Sequence, residues 1–214
     1  MRSAIVIVGG SAPDARVPLP ARAFVVAADS GYDHARTFGL AVDVLVGDLD
    51  SISADGLAHA RATGVRIEQH DPEKDATDTE LALKTAVAAG TAHITLVTGA
   101  SADRFDHSLA VVVALGHPRL ATVEVDAWFG AAAVHALRGP VRRELPMRTG
   151  EVVTLLAVGG PATGITTTGL RYPLDGEPLE PTSSRGVSNE AVDPLPTITV
   201  QAGCLLVIRP EALA

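Results

Sequence analysis

Cysteine is almost missing from this 214-residue chain, where Cys204 stands alone. One thiol cannot close an intramolecular disulfide, so a stapled scaffold is excluded, and the expectation is a reducing, cytoplasmic setting. No His/Cys spacing resembles a zinc site. No apolar run approaches the roughly 18 residues that cross a bilayer, so no membrane partner is expected. The opening "MRSAIVIVGG" has one Arg and too short an apolar core for a signal peptide, and it reads as a first strand. Basic residues are outnumbered, 17 against 25 acidic ones, for a formal net charge of −8. General nucleic-acid binding is thereby disfavoured, since its affinity comes largely from Lys/Arg–phosphate contacts. Three signatures are also missing: the P-loop G-x-x-x-x-G-K-[ST], a G-x-G-x-x-G after the first strand, and a G-x-S-x-G elbow. A nucleotide substrate stays compatible with an acidic chain if a cation such as Mg²⁺ mediates.

What is present is ordinary globular material, 47% hydrophobic and 20% charged, long enough for one large domain or two small ones. Through about residue 130, strand-like and helix-like segments alternate, the pattern of a parallel α/β domain. Strands are expected at 3–10, 23–30, 43–48, 65–70 and 93–99, with near-continuous apolar runs that suit cover on both faces. Helices are expected at 32–40, 53–63, 78–90 and 104–116, with two short strands within 121–138. "GPVRRELPMRTG" (139–150) reads as a linker. Beyond it the segments "EVVTLLAVGG", "GITTTGLRY", "GVSNEAV" and "TITVQAGCLLVIRP" are β-type. The fold class expected is α/β: a Rossmann-like parallel-sheet domain over 1–138, then an all-β sandwich over 139–214.

Acids recur where these strands end. Asp29 follows "FVVAA", and Asp48 and Asp50 follow "VLVG". Asp75 and Asp78 follow the fourth strand, and Arg104 and Asp106 the fifth. Ligands of an open parallel sheet bind outside the strands' carboxyl ends, so these residues are expected to share one cleft. Several carboxylates together suit Mg²⁺ carrying a polyphosphate, with Arg104 and Lys74 gripping phosphate oxygens. Helix starts near Thr77 and Arg104 add backbone N–H groups.

Plainer readings stand beside these. "TDTE" (77–80) is a capping box, so Asp78 suits a helix start as well as catalysis. Asp29 ahead of Ser30-Gly31 also suits a turn. His34 and His107 fit a helix surface, and Cys204 and Trp128 fit packing. Asp48 and Asp50 are harder to explain without a cationic partner, because acids are rarely buried unpaired.

Taken in order, "ADSG" (28–31), "GDLDS" (47–51), "DPEKDATD" (71–78), "TGASADRFDH" (98–107), "TTTGLRYPL" (166–174) and "GVSNE" (186–190) resemble the thiamine pyrophosphokinase family. The resemblance implies an α/β catalytic domain, a C-terminal β-sandwich, and a homodimer with thiamine bound where subunits meet. It implies Mg²⁺-dependent transfer of a pyrophosphoryl group from ATP to the thiamine hydroxyl, releasing AMP. Carried over by motif, Asp48, Asp50 and Asp75 would hold metal, with Asp29 near. Asp78 would lie by metal or substrate, and Arg104 and Asp106 by the nucleotide phosphates. Ser188, Asn189, Thr168 and Tyr172 would sit near thiamine. Asp103 stands where the family carries Gly, and Val111 where it carries an amide. Two other functions are therefore weighed. One is a pyrophosphokinase for another hydroxymethyl acceptor such as a pterin. The other is a silent thiamine- or nucleotide-binding sensor.

Overall fold

A computed structural model describes residues 2–100 and 104–214, so the reading made of Asp103 lies outside the described residues. The chain divides into two compact units, one of residues 1–114 with 122–130, the other of 115–121 with 131–214.

The first unit is built on buried apolar strands: β1 (Ser3–Val8), β2 (Phe24–Ala28), β3 (Val44–Gly47), β4 (Arg66–Gln69), β5 (His93–Thr98) and β6 (Glu124–Phe129). They run in the order β6-β5-β1-β2-β3-β4, and each neighbouring pair is parallel. β4 ends this order and is the least buried of the strands, which fits its alternating charged residues. Four helices connect the strands: α1 (Gly31–Thr37), α2 (Ala54–Ala62), α3 (Asp78–Ala88) and α4 (Phe105–Ala114). Thr77 and Glu80 close the capping box that opens α3, with N–H···O distances of 3.2 and 3.0 Å. That motif contributes about 1 kcal/mol and sets where the helix starts. All carboxyl strand ends open on the same edge of a parallel sheet, and that edge carries the acidic loops.

The second unit holds β7 (Ala132–Arg138), β8 (Val141–Glu144), β9 (Val152–Ala157), β10 (Ala162–Thr168), β11 (Glu177–Leu179), β12 (Asn189–Glu190), β13 (Thr197–Val200) and β14 (Cys204–Arg209). Here β12-β9-β14-β7 are antiparallel neighbours, as are β11-β10-β13-β8. One apolar cluster draws on both sets: Leu137, Val153, Leu155 and Leu205 from the first, Ile165, Leu179, Ile198 and Val200 from the second. Cys204 is buried within β14, in agreement with its expected packing role.

Two differences from the sequence reading have physical causes. The presumed linker at 139–150 contains β8, laddered onto β13 from Val141↔Val200 to Glu144↔Thr197. As an edge strand written Val-Arg-Arg-Glu it shows no hydrophobic alternation, so its pairing decides its state. The second unit also begins ahead of residue 139, because β7 ladders along the whole of β14. Among the described residues, no helix is long and apolar enough to cross a membrane.

Glu151 ties this unit together. Its side chain is 2% exposed, and Arg209 donates to it from Nε at 2.6 Å and Nη2 at 3.2 Å. The Arg148 N–H adds a third contact at 3.0 Å. Burial pushes this carboxyl up, but Arg209 and the Arg148 N–H outweigh it and hold it below its ordinary 4.5. The stability it supplies is therefore complete above 4.5 and is lost as pH falls through the lowered folded value. Glu151→Gln is expected to cost about 3 kcal/mol in urea unfolding at neutral pH. The variant's stability should also fall less steeply on acidification than that of the unaltered protein.

Candidate active site

The β2 and β3 ends meet through their backbones. Asp29 has a left-handed φ of +46°, and its N–H donates to the Val46 carbonyl at 3.0 Å. This turns the Asp29 side chain, 6% exposed, across the end of β3, where Oδ1 accepts from the Leu49 N–H at 3.0 Å. The carboxylate fills the space over Gly47: a Cβ there would lie 1.9 Å from Oδ1, and Gly47 itself has φ +146°. Glycine is obligatory at this position on both counts.

Asp48, Lys74 and Asp78 complete the cluster. Lys74 Nζ lies 3.1 Å from Asp48 Oδ2 and 3.0 Å from Asp78 Oδ1, with all three side chains largely buried. Asp29, Asp48 and Asp78 each present an oxygen, and these oxygens lie within 4.8 Å of one another. Asp50 adjoins them, its N–H donating to Asp48 Oδ1 at 3.2 Å, but it is exposed. A set of three carboxylates with no nitrogen or sulfur suits a hard cation such as Mg²⁺, which takes oxygen ligands and keeps several waters.

Electrostatics divide the carboxylates. Asp29 is pushed up to about 7, first by burial and then by its hydrogen bond with Asp78. Burial also pushes Asp48 up, but Lys74 and the Asp50 N–H overcome it and hold Asp48 below its ordinary value. Asp50 is raised by desolvation and by Asp48 beside it. For Lys74 burial acts downward, yet Asp78 and Asp48 win and raise it. The ammonium therefore stays charged among the acids.

The expected residues thus separate. The structure brings together Asp29, Asp48, Lys74 and Asp78, with Asp50 alongside. Asp75 is exposed in the turn before α3 and is not in the three-carboxylate group. Arg104 and Asp106 pair with each other at 2.9 and 3.1 Å on the exposed start of α4. That pairing holds the exposed Asp106 carboxyl near 2. Arg104 also contacts the His107 ring. Val111 is buried on α4.

In the second unit, Asn189 is buried and both ends of its amide make hydrogen bonds. Oδ1 accepts from Tyr172 N at 3.0 Å and Glu190 N at 2.8 Å, while Nδ2 donates to the Tyr172 carbonyl at 2.7 Å. Asn189 thereby braces the Tyr172 turn, whose ring is 65% exposed. Ser188 has a left-handed φ of +59°, its N–H bonded to Thr154 Oγ1 at 3.1 Å and its side chain exposed. Thr168 ends β10 and is exposed, while its neighbour Thr167 is buried and accepts from Leu174 N at 2.9 Å. The sequence reading missed Gly47 as a requirement of Asp29, because the two lie on different strands. The "VLVG-D" junction was the available signal.

Comparison with known proteins adds a family. Residues 19–125 match the model of the thiamin pyrophosphokinase catalytic domain. Residues 141–205 match that of the thiamin pyrophosphokinase vitamin B1 binding domain. No curated protein matches by sequence. The fold is similar to that of thiamine pyrophosphokinase from Bacillus subtilis, with TM-score 0.83 and 21% identity, covering 99% of this chain and 100% of that one. Thiamin pyrophosphokinase from Geobacillus thermodenitrificans gives 0.78 at 25% identity, covering 98% and 97%. A thiamin pyrophosphokinase family protein from Enterococcus faecalis gives 0.77 at 26%, covering 98% of each chain.

Gly47→Ala places a methyl group where the Asp29 carboxylate lies and so displaces one oxygen of the cluster. Mn²⁺ affinity, read from the free-ion EPR signal, is expected to fall at least about tenfold. The far-UV circular dichroism should keep its native shape. Unchanged Mn²⁺ affinity would remove Asp29 from the candidate metal-holding set.

Proposed function

The chain belongs to the thiamin pyrophosphokinase family and is a thiamine diphosphokinase, and on that premise we propose how it works. ATP is the donor. The thiamine hydroxyl oxygen attacks the β-phosphorus, the bond from that phosphorus to the α-phosphate oxygen breaks, and AMP leaves with the electron pair. The observation that carries this reading is the group of Asp29, Asp48 and Asp78 oxygens beside Lys74 at the carboxyl ends of parallel strands.

Asp29, Asp48 and Asp78 would hold Mg²⁺, with Asp50 and Asp75 as further carboxylates nearby in the chain. When bound, Mg²⁺ screens the triphosphate and stabilises charge that builds up during transfer. Lys74 offers an ammonium to phosphate oxygens, and Arg104 a fork of donors. Phosphoryl transfer of this kind needs positioning more than a strong base. The hydroxyl proton passes to a carboxylate of the cluster.

Thiamine binding is assigned to the turns carrying Thr168, Tyr172, Ser188 and Asn189. Tyr172 offers an exposed ring, and Asn189 orients the turn that carries it. The match to a vitamin B1 binding domain favours thiamine over a pterin acceptor. We read the first unit as Rossmann-like and the second as a β-sandwich, since one apolar cluster joins its two sheets. A homodimer is supported by the apolar stripe Phe105, Leu109 and Val113 on α4, which are 70%, 48% and 59% exposed. A lone buried thiol and an ATP donor fit the cytoplasm.

Purified protein with ATP, Mg²⁺ and thiamine is expected to release AMP and form thiamine diphosphate, identified by mass spectrometry. AMP release that ignores thiamine, or thiamine binding without turnover, would overturn the transfer reading. Asp48→Asn is expected to lower turnover at least about a hundredfold without unfolding. Leu109→Glu is expected to shift the light-scattering mass toward the monomer. An unchanged mass would remove α4 from the subunit contact.

A further inference from the structure

We propose that Asp33, which lies outside the carboxylate cluster, is a positioning residue for it. Asp33 clamps the loop that carries Asp48 and Asp50. Its Oδ2 accepts from the Ser53 N–H at 2.9 Å, and its Oδ1 from the Ser53 hydroxyl at 2.8 Å. That hydroxyl accepts in turn from Gly56 N at 2.9 Å and so caps α2. The cap and the clamp therefore share one side chain.

The clamp repeats a device already met at Asp29. A Cβ at Gly56 would lie 2.2 Å from Asp33 Oδ1, just as one at Gly47 would meet Asp29. Two carboxylates from one short stretch, Asp29 and Asp33, thus lie over glycines at either end of residues 47–56. Between them Ser51 Oγ lies 3.4 Å from Ser30 Oγ. The loop is tied at Leu49, Ser51 and Ser53, with Asp48 immediately before the first tie and Asp50 between the first two. Leu49 has a φ of +68°, a left-handed conformation that a leucine keeps only where surrounding contacts hold it. Asp29 secures the near side of that turn, and Asp33 secures the far side.

A plainer role exists, because an acid in the first turn of α1 suits the positive end of a helix. That role needs no contact with Ser53 and acts on stability alone. Gly56→Ala separates the two. It keeps the Asp33 residue and favours a helix by intrinsic propensity, yet its methyl carbon would lie 2.2 Å from Oδ1 and 3.0 Å from Ser53 Oγ, so that the Asp33–Ser53 contact must shift.

The inference rests on the metal-dependent reading of the acidic cluster, so its test includes a measurement free of it. Hydrogen exchange of residues 48–53 would be followed in ligand-free protein for the unaltered chain, Asp33→Ala, Gly56→Ala and Asp33→Asn. Exchange in this loop is expected to quicken about tenfold in the first two variants, while β1 and β5 are unchanged. Mn²⁺ affinity and kcat should each fall about tenfold or more, with KM for thiamine unaltered. Asp33→Asn keeps one acceptor oxygen and should recover part of each loss. Unchanged loop exchange in both Asp33→Ala and Gly56→Ala would overturn the clamp. Faster exchange with unchanged Mn²⁺ affinity and kcat would overturn its positioning role. If the unaltered protein forms no thiamine diphosphate, the functional reading falls, and exchange with Mn²⁺ affinity still decides the clamp.

Discussion

Mutual repulsion among Asp29, Asp48 and Asp78 is the constraint around which the first unit is organised. Two like charges 4 Å apart repel by about 4 kcal/mol at the effective dielectric of a protein surface, and more when drier. The chain relieves this in two ways. Lys74 places its ammonium between Asp48 and Asp78. Asp29, the most buried of the three, responds by holding its proton up to about pH 7. In the reading proposed above, a divalent ion arriving with a polyphosphate would replace the Asp29 proton and part of the lysine's role.

Backbone geometry keeps the carboxylates together against that repulsion. Asp29 and Leu49 both take left-handed φ values, and Gly47 clears the space between them. Such conformations cost energy at non-glycine residues, so they persist only where hydrogen bonds over-determine them. The bonds are present: Asp29 N to Val46 O, Leu49 N to Asp29 Oδ1, and Ser53 to Asp33. The parallel sheet contributes rigidity, since its buried strands leave the loops few ways to shift.

The second unit follows a different logic. Its turns are braced by single buried polar side chains bonded at both ends, as at Asn189, or by a buried ion pair, as at Glu151 and Arg209. Bracing of this type frees neighbouring groups such as the Tyr172 ring for contact with something outside the unit. Asn189 orients the candidate thiamine-binding turn.

Strand and helix order was legible in the sequence because each element of the first unit carries its own period, from the apolar runs of β1 and β5 to the capping box of α3. The placement of acids after strands was legible too, as was the change to β-type texture after residue 139. β8 and β11 were not: one is a charged edge strand and the other three residues long, so their state depends on partners far along the chain. Residue types alone settle which side chains carry charge, and the apolar runs mark where the strands of the first unit end. Packing in three dimensions brings Asp29 and Asp78 to Asp48, leaves Asp75 outside their group, and lets Asp33 reach Ser53. Those choices turn on backbone dihedrals and on distances between loops from separate strands, which no local pattern of residues encodes.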